Sequence, residues 1–455
     1  MMTAADNSAR AQARALGRLA APIAATQAGF ALMGIVDAAV VGRLGALPLA
    51  AVGLANGLYF AVSVIGIGLM MGLDPLVAQA VGKGDRGRAR ELLWQGLWLA
   101  LIVTAVLAVP CALLPLTLVP AGIAPATARL ATVCLWLRIP GFLPMMVYAG
   151  LRAFLQAQGK VRPLVMTMAI ANVCNLGLDV LFVYGGAGIP ALGAPGTSIA
   201  TSLCSAIQVG LLFFAVHGLR EPGEPEARRL PLLRDLRTAA RIGLPVGLQM
   251  AAEVSVFALA GVLAGRFGDL ALAAHQIAIS LASLTFCVAV GIGNAGSVLV
   301  GWAIGARDTP AARRAGLLAF GAGAGFMSLC ACAFWLAPAA FARLISDQEP
   351  VVAAAVPLLA VAAFFQISDG VQGVGAGVLR GAGDTRYAFF ANVIGHYGVG
   401  LPIALLLGFH YRRGVVGLWW GLCAGLTAVA LALFVRFWLR SSRHIEPIES
   451  SAAAH

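Results

Sequence analysis

Long runs of apolar residues alternate with short polar clusters along the whole chain. A hydrocarbon core about 30 Å thick is spanned by about 20 helical residues, and such runs are too long for barrel strands. Cutting the chain at its charged and Gly/Pro-rich clusters therefore predicts an all-α integral membrane protein with twelve transmembrane helices. The predicted spans are 16–42, 47–80, 91–119, 128–153, 163–187, 191–218, 240–265, 270–302, 311–342, 350–378, 387–409 and 414–439.

The composition agrees with this prediction. Charged residues make up 11% of the 455 residues and hydrophobic residues 60%, and the mean hydropathy is +0.90. A soluble domain has about 25% charged residues, so the chain cannot supply the polar surface of a soluble protein of this length. The eight cysteines lie inside apolar runs and form no Cys-x-x-Cys pair. We therefore expect small buried residues rather than a disulfide framework or a zinc site.

The net charge of +12 comes from basic residues that cluster between the apolar runs. When the loops are assigned alternately to the two sides, 24 of the 31 basic residues fall on the side of the N-terminus. By the positive-inside rule, both termini of this multi-pass protein lie in the cytoplasm, with the helices in the inner membrane. Charges spread in this way do not form the single basic face that binds nucleic acid. The polar N-terminus is not followed by a short apolar core with a cleavage site, so we expect no removed signal peptide.

The second half of the chain repeats the first at an offset of 223 residues. VGRLGALPLAA (41–51) matches AGRFGDLALAA (264–274) and, with one extra residue, LQAQGKVR (155–162) matches LRGAGDTR (379–386). Each half holds six helices, so two lobes of the same orientation are predicted, related by a pseudo-two-fold axis along the membrane normal. The predicted division is an N-terminal lobe 1–218, a cytoplasmic linker 219–239 and a C-terminal lobe 240–455.

Four acidic residues lie well inside predicted spans, two in each lobe. A carboxylate in hydrocarbon costs several kcal/mol unless it is paired, protonated or hydrated, so each is a functional candidate. Neighbouring carboxylates can share a proton or hold a monovalent cation. An asparagine four residues before one of these acids adds a neutral oxygen to the same helix face. The candidates for cation or proton binding are Asp37, Asn175, Asp179, Glu253 and Asp369.

A structural role for these acids stays open at this point. Arg138 is left over inside a span, and some of the acids could pair with it or with hydroxyl groups. His275 and His396 lie in or beside spans and could relay protons, but hydrogen-bonded interior histidines are the expected case. Further residues are candidates for lining a substrate cavity: Gln27, Asn172, Gln276, Asn294 and Phe365.

Five stretches together resemble the multidrug and toxic compound extrusion (MATE) family, over essentially the whole chain. They are MGIVDAAVVGRLGALPLAAVGLA (33–55), GLDPLVAQAVGKGD (72–85), LPVGLQMAAEVSVFALAGVLAGRFG (244–268), LAAHQIAISLASLTFCVAVGIGNAGSVLVGWAIGARD (272–308) and FFQISDGVQGVGAGVLRGAGDTR (364–386). The resemblance implies two six-helix lobes that export organic, often cationic compounds, driven by inward movement of Na⁺ or H⁺. It implies no cofactor and no metal other than Na⁺ as a coupling ion.

The resemblance also implies roles for individual positions. Asp37, Glu253 and Asp369 match the acidic positions of NorM-type members of the family. The Asn-x-x-x-Asp pattern of Asn175 and Asp179 matches a cation site in the first lobe of related branches.

Two further positions matter for the comparison with this family. Pro22 matches the proline at which the first helix is proposed to bend. Phe365 is a departure, because some NorM-type members have a tyrosine there, near the acids of the second lobe. The missing hydroxyl removes an oxygen that could bind Na⁺ in that lobe.

The leading hypothesis is a cation- or proton-coupled antiporter. It would export lipophilic, often cationic compounds by alternating access of its two lobes, and would work as a monomer. The alternative is a flippase of lipid-linked precursors, which would need a cationic cavity for pyrophosphate, whereas the embedded charges here are mostly acidic. A nucleotide-driven pump is disfavoured because no GxxxxGK[ST] loop is present. A membrane enzyme is disfavoured because the sequence has no paired Asp-rich motifs near one face. A sugar carrier is disfavoured because the Gly-x-x-x-Asp-x-x-Gly-Arg loop is absent.

Overall fold

The computed structural model of the chain describes residues 8–186, 188–219 and 227–448. In these ranges, twelve helices are long and apolar enough to cross a membrane, which confirms the predicted all-α fold. One isolated bridge, Gly186 with Ile189, is the only β-pairing in the same ranges. The twelve helices are α1 Ala9–Gly42, α2 Ala46–Gly82, α3 Arg86–Thr117, α4 Pro125–Ala157, α5 Arg162–Tyr184, α6 Ala194–His217, α7 Leu233–Gly265, α8 Asp269–Gly305, α9 Thr309–Leu336, α10 Glu349–Gly381, α11 Thr385–His410 and α12 Gly414–Ser441. A short helix, Pro338–Arg343, lies between α9 and α10.

The ends of the helices repeat between the two halves of the chain. Asp85 and Asp308 are the N-caps of α3 and α9, and each side chain accepts a hydrogen bond from the backbone N–H three residues on. Such a cap satisfies one of the free N–H groups of the first helical turn. Gly45 and Gly268 precede α2 and α8 with φ angles of 113° and 99°, a conformation that favours glycine. The offset of 223 residues found in the sequence therefore reappears in the backbone.

Several helices change their geometry along their length, among them α4 and α11. In α4, a 3₁₀ turn at Ile139–Gly141 contains Pro140, which has no N–H to donate to the helix. In α11, the stretch Ile394–Gly400 is π-helical, with one extra residue in each hydrogen-bonded turn. Helix α1, by contrast, stays α-helical through Pro22, and the bending role of this proline stays a prediction.

The chain forms two compact units. The N-terminal unit is Thr26–Gly247, and the C-terminal unit is Met1–Ala25 together with Leu248–His455. Both boundaries fall inside a helix, since α1 and α7 each contribute one part to each unit. The lobes and linker expected from the sequence stay a prediction, and residues 220–226 of that linker lie outside the described residues.

In the N-terminal unit, α2 and α7 pack backbone against backbone. A Cβ on Gly243 would lie 2.1 Å from the carbonyl oxygen of Leu69, and one on Gly68 would lie 2.2 Å from the Cα of Gly247. No side chain fits at these positions without moving a backbone. Close helix contacts through small residues are typical of membrane proteins, where packing replaces the hydrophobic effect between helices.

Acids near the helix ends are held by arginines. Asp235 accepts two hydrogen bonds from the guanidinium of Arg88, at 2.7 and 2.8 Å, in the N-terminal unit. In the C-terminal unit, Asp384 pairs with Arg436 and Arg440 at 2.8 and 2.6 Å. These acids therefore have a structural explanation that requires no bound ligand.

The packing of α2 against α7 predicts that Gly243→Ala destabilises the protein. We expect a loss of about 1–3 kcal/mol, because the new methyl group would overlap backbone atoms of α2. Thermal unfolding in detergent measures the loss as a lower midpoint. Gly53→Ala in α2 is the matched control, since nothing lies within 4 Å of its Cβ position. Equal midpoints for the two variants would contradict the described packing.

Candidate functional site

Two carboxyl groups meet in the N-terminal unit. Asp37 on α1 and Asp179 on α5 are both buried, and their carboxyl groups are close enough to interact electrostatically. Thr197 on α6 donates its hydroxyl to Asp179 Oδ1 at 2.7 Å, and Thr201 donates to Asp37 Oδ2 at 3.2 Å. Three helices thus build one polar site inside an apolar bundle, which we call the aspartate site.

The aspartate site contains oxygens that no described residue satisfies. Asp37 Oδ1, Asp179 Oδ2 and the Oδ1 of the fully buried Asn175 have no hydrogen-bond partner. Buried polar atoms nearly always have partners, so three such oxygens in one place need an explanation. A proton shared by the two carboxyls, or a monovalent cation bound by the oxygens, would supply it.

The packing of α1 against α5 brings the aspartate site together. A Cβ on Gly29 would lie 2.3 Å from Met168 Cγ, so only glycine lets the two helices approach this closely. The side-chain amide of Asn172 donates to the carbonyl of Gly29 at 3.2 Å, and the hydroxyl of Tyr184 donates to the carbonyl of Val40 at 2.6 Å. These contacts lie before and after the two aspartates along the helices and fix their register.

A second polar site lies in the C-terminal unit, around Glu253 on α7. Its Oε1 accepts hydrogen bonds from the side-chain amides of Gln372 on α10 and Asn392 on α11, the latter at 2.5 Å. Both amides are buried. Because an amide nitrogen only donates, both bonds use lone pairs of an oxygen that carries no proton. We call this the glutamate site.

Asp369 completes the glutamate site. It lies on α10 three residues before Gln372 and is buried, with its carboxyl within electrostatic range of Glu253. No described side chain donates a hydrogen bond to Asp369. A carboxyl in these surroundings is stable when it holds a proton or when a cation lies beside it.

Aromatic residues border the glutamate site on one side. Phe257 and Phe365 lie one turn from Glu253 and Asp369 on α7 and α10, with ring centroids 6.1 Å apart. Trp419 on α12 contacts Phe365 at 5.4 Å and donates its N–H to Nδ1 of His275 at 3.2 Å. The ring of His396 on α11 lies 6.1 Å from that of Phe257. The charged layer is therefore followed by an aromatic layer that contains two histidines.

Arg138 forms no ion pair with any of the four acids, although its charge lies within electrostatic range of Asp179. Its Nη1 donates to Asn56 Oδ1 at 2.7 Å, and its guanidinium lies 4.7 Å from the ring centroid of Tyr59. Across the ranges that the structure describes, no lysine or arginine forms an ion pair with any of the four acids inside the spans. The pairing with hydroxyls that the sequence left open is observed at the aspartate site, and the pairing with Arg138 is not.

The predicted cavity residues fall into different surroundings. Asn172 is half-buried and binds backbone carbonyls of α1 and α5, and Asn294 is buried and accepts a hydrogen bond from Arg380 at 2.6 Å. Gln276 is exposed and Gln27 is half-buried. The structure thus gives the two asparagines packing contacts, and a substrate role for this set stays a prediction.

Sequence reasoning missed the neutral partners of the acids. Gln372 lies three residues after Asp369, and the same-face rule that found Asn175 could have found it. Asn392 lies in an apolar run as Asn175 does, but its helix contains no acidic residue that would have identified it as a candidate ligand. Thr197 and Thr201 carried no signal, because threonines are common in membrane helices and bind their own backbone there.

The two sites share a chemical capacity. Each holds two carboxyls, of which at least one accepts hydrogen bonds from neutral side chains and neither forms an ion pair with a basic residue among the described residues. Such a pair changes its net charge when it gains or loses one proton or one monovalent cation. Each unit can therefore exist in two charge states inside the hydrocarbon.

Known proteins match this chain along most of its length. A profile of the MatE family matches residues 22–181 and 245–406. The chain is 37% identical over 462 residues to the "Probable multidrug resistance protein NorM" of Mesorhizobium japonicum. This alignment covers 98% of this chain and 97% of the relative. It is 36% identical over 434 residues to the "Multidrug resistance protein NorM" of Burkholderia vietnamiensis, which covers 93% of each.

Solved structures share the fold. The eukaryotic MATE transporter AtDTX14 superposes with a TM-score of 0.84 and 22% identity, over 94% of this chain and 96% of that one. An outward-facing multidrug resistance MATE family transporter of the MOP superfamily superposes with a TM-score of 0.86 and 20% identity, over 95% and 96%. The relatives are named as multidrug resistance proteins and the fold neighbours as transporters, and none of these is an enzyme.

The glutamate site predicts a charge-dependent effect of Asn392→Leu. Removing a donor to a charged carboxylate costs about 1.5–3 kcal/mol, whereas removing one from a neutral acceptor costs about 0.5–1.5 kcal/mol. The substitution is therefore expected to lower the thermal unfolding midpoint more in the native background than in a Glu253→Gln background. Equal losses in the two backgrounds would mean that Glu253 carries no charge in this state.

Proposed function

Because the chain belongs to the MatE family, we propose that it is an antiporter that couples uptake of Na⁺ or H⁺ to export of lipophilic, often cationic compounds. The observation that carries the proposal is the set of four carboxyls inside the spans, three buried and Glu253 half-buried, that form no ion pair with a basic residue among the described residues. Such groups are costly in hydrocarbon, and their usual role in transporters is to carry protons or ions. A cation that enters from outside would neutralise a site, and its release inside would restore the charge.

The substrate class rests on charge and on the relatives. The relatives are named for multidrug resistance, and the acids inside the spans outnumber the one arginine there. A negatively charged interior favours organic cations and disfavours the pyrophosphate of lipid-linked precursors. The flippase alternative therefore has no observation in its favour.

The orientation and the mode of action belong to the same proposal. With 24 of 31 basic residues on one side, the termini lie in the cytoplasm of a cell whose inner membrane holds the protein. The duplicated halves support alternating access by two lobes, since transporters built from repeats place their sites between the repeats. Each chain carries both sites, so a monomer is sufficient for transport.

The two sites differ in what they offer a coupling ion. The aspartate site has three buried oxygens without donors, one of them neutral, which suits either Na⁺ or a proton. At the glutamate site, two amide N–H groups already point at Glu253, and Phe365 offers no oxygen. The glutamate site therefore offers fewer neutral oxygens to Na⁺ than the aspartate site does, and we propose that it takes a proton.

Amide variants test the proposal most simply. Asp37→Asn, Glu253→Gln and Asp369→Asn are each expected to abolish gradient-driven efflux of a cationic dye from proteoliposomes, because an amide cannot gain or lose the proton. Asp269→Asn is the matched control, since this acid is exposed at the start of α8. Native-like thermal unfolding midpoints would show that the variants fold. Unchanged efflux in all three variants would refute the proposal.

A second experiment separates the ions. Dye efflux is measured with a Na⁺ gradient and a pH gradient imposed one at a time. If the glutamate site takes a proton, the pH gradient drives efflux and Asp369→Asn abolishes it. Efflux driven by the pH gradient that persists in Asp369→Asn would overturn the assignment of a proton to this site.

A further inference from the structure

His396 is buried, and neither of its ring nitrogens has a hydrogen-bond partner in the described part of the chain. A buried imidazole normally satisfies at least one nitrogen, because an orphaned donor or acceptor costs about 1–3 kcal/mol. The hydrogen-bonded interior histidine expected from the sequence is therefore found at His275, which binds Trp419. It is not found at His396.

The repeat shows how the hydrogen bonding of His396 differs from that of its counterpart in the first half. The offset of 224 residues that relates Gly159 to Gly383 also relates Asn172 to His396. Asn172 donates to the carbonyl of Gly29 on α1. The equivalent carbonyl on α7, that of Ala252, accepts its hydrogen bond from the neighbouring Tyr397 at 2.9 Å instead. The carbonyl that could have held the ring of His396 is thus occupied.

The position of His396 follows from its helix. It lies in the π-helical stretch Ile394–Gly400, a geometry found often at functional sites. Four residues earlier, Asn392 binds Glu253, and Phe257, four residues after Glu253, contacts the ring of His396. His396 therefore lies one helical turn from Glu253, towards the end of α7 at Gly265. In the proposed orientation, that end is extracellular.

The surroundings of His396 hold few other groups that titrate. On α12, the residues packed against this stretch are Gly421, Gly425 and Val429, none of which is ionisable. The acids of the neighbouring glutamate site are Glu253, about one turn away on α7, and Asp369 on α10. Tyr397 on α11 donates its hydroxyl to a backbone carbonyl.

We propose that His396 is a proton-binding site in series with Glu253, through which protons pass between the extracellular side and the glutamate site. The inference rests on the proposed proton coupling of the C-terminal unit. A proton arriving from outside bonds to the free ring nitrogen and gives an imidazolium. The opposite nitrogen then releases its proton to the carboxylate of Glu253, directly or through water, and the ring is left as a neutral imidazole in the other tautomer.

The missing hydrogen bonds serve this cycle. After one transfer, the ring must rotate to present the correct nitrogen to the outside again. A histidine fixed by a hydrogen bond, as His275 is, would lose that bond in each rotation. Rotation of the His396 ring breaks no hydrogen bond, because neither ring nitrogen has a partner among the described residues. The unpartnered nitrogens therefore fit a role in proton transfer.

The test compares His396→Gln with His275→Gln in proteoliposomes that contain a cationic dye. Dye efflux driven by a pH gradient and proton movement reported by a pH-sensitive dye are recorded together, and the Kd of the cationic dye is measured in detergent. We expect His396→Gln to slow both movements about tenfold or more with a Kd within about twofold of the native value. His275→Gln should stay within about twofold of the native rate.

The outcomes separate this inference from the proposed function. If the native protein shows no efflux in a pH gradient, proton coupling fails and the inference fails with it. If the native protein shows such efflux and His396→Gln matches it, only the inference is overturned. Equal losses in both histidine variants would also overturn it. Should His396→Gln not bind the dye, His396→Asn, which is smaller and keeps a polar group, is judged by the same criteria.

Discussion

The whole arrangement depends on the cost of keeping a carboxylate in hydrocarbon without a basic partner. Arginines hold the acids near the helix ends, as at Asp235 and Asp384, but none pairs with the four acids inside the spans. Each of those acids must therefore gain a proton or a cation, or be stabilised by neutral donors. That requirement explains why two hydroxyls of α6 bind the aspartate pair and why amides of α10 and α11 bind Glu253.

The duplicated backbone carries different chemistry in its two copies. Helix caps and turn glycines recur at the repeat offset, as Asp85 and Asp308 show, because the helices begin at equivalent positions in the two copies. The polar interior does not recur, since Asn172 secures a helix contact where His396 has none. The two units therefore carry two sites with different sets of polar side chains.

Sequence reasoning reached the helices and the acids because both leave strong signals. Apolar runs of sufficient length predict spans, and an acid such as Asp369 inside one stands out against its neighbours. The partners could not be predicted in the same way. Thr197 and Asn392 become ligands of an acid only through the packing of separate helices. The π-helical turn around His396 was also hidden, because no residue pattern in the sequence marks it.

The central claim is that the buried carboxyls exchange bound cations for substrate. Proton release on binding tests it directly, by adding a cationic dye to the purified protein in weakly buffered, Na⁺-free detergent solution and following the pH. The account predicts that the native protein acidifies the solution, and that a variant with amides at Asp37, Asp179, Glu253 and Asp369 does not. Dye binding to the native protein without proton release, or equal release from the amide variant, would contradict it.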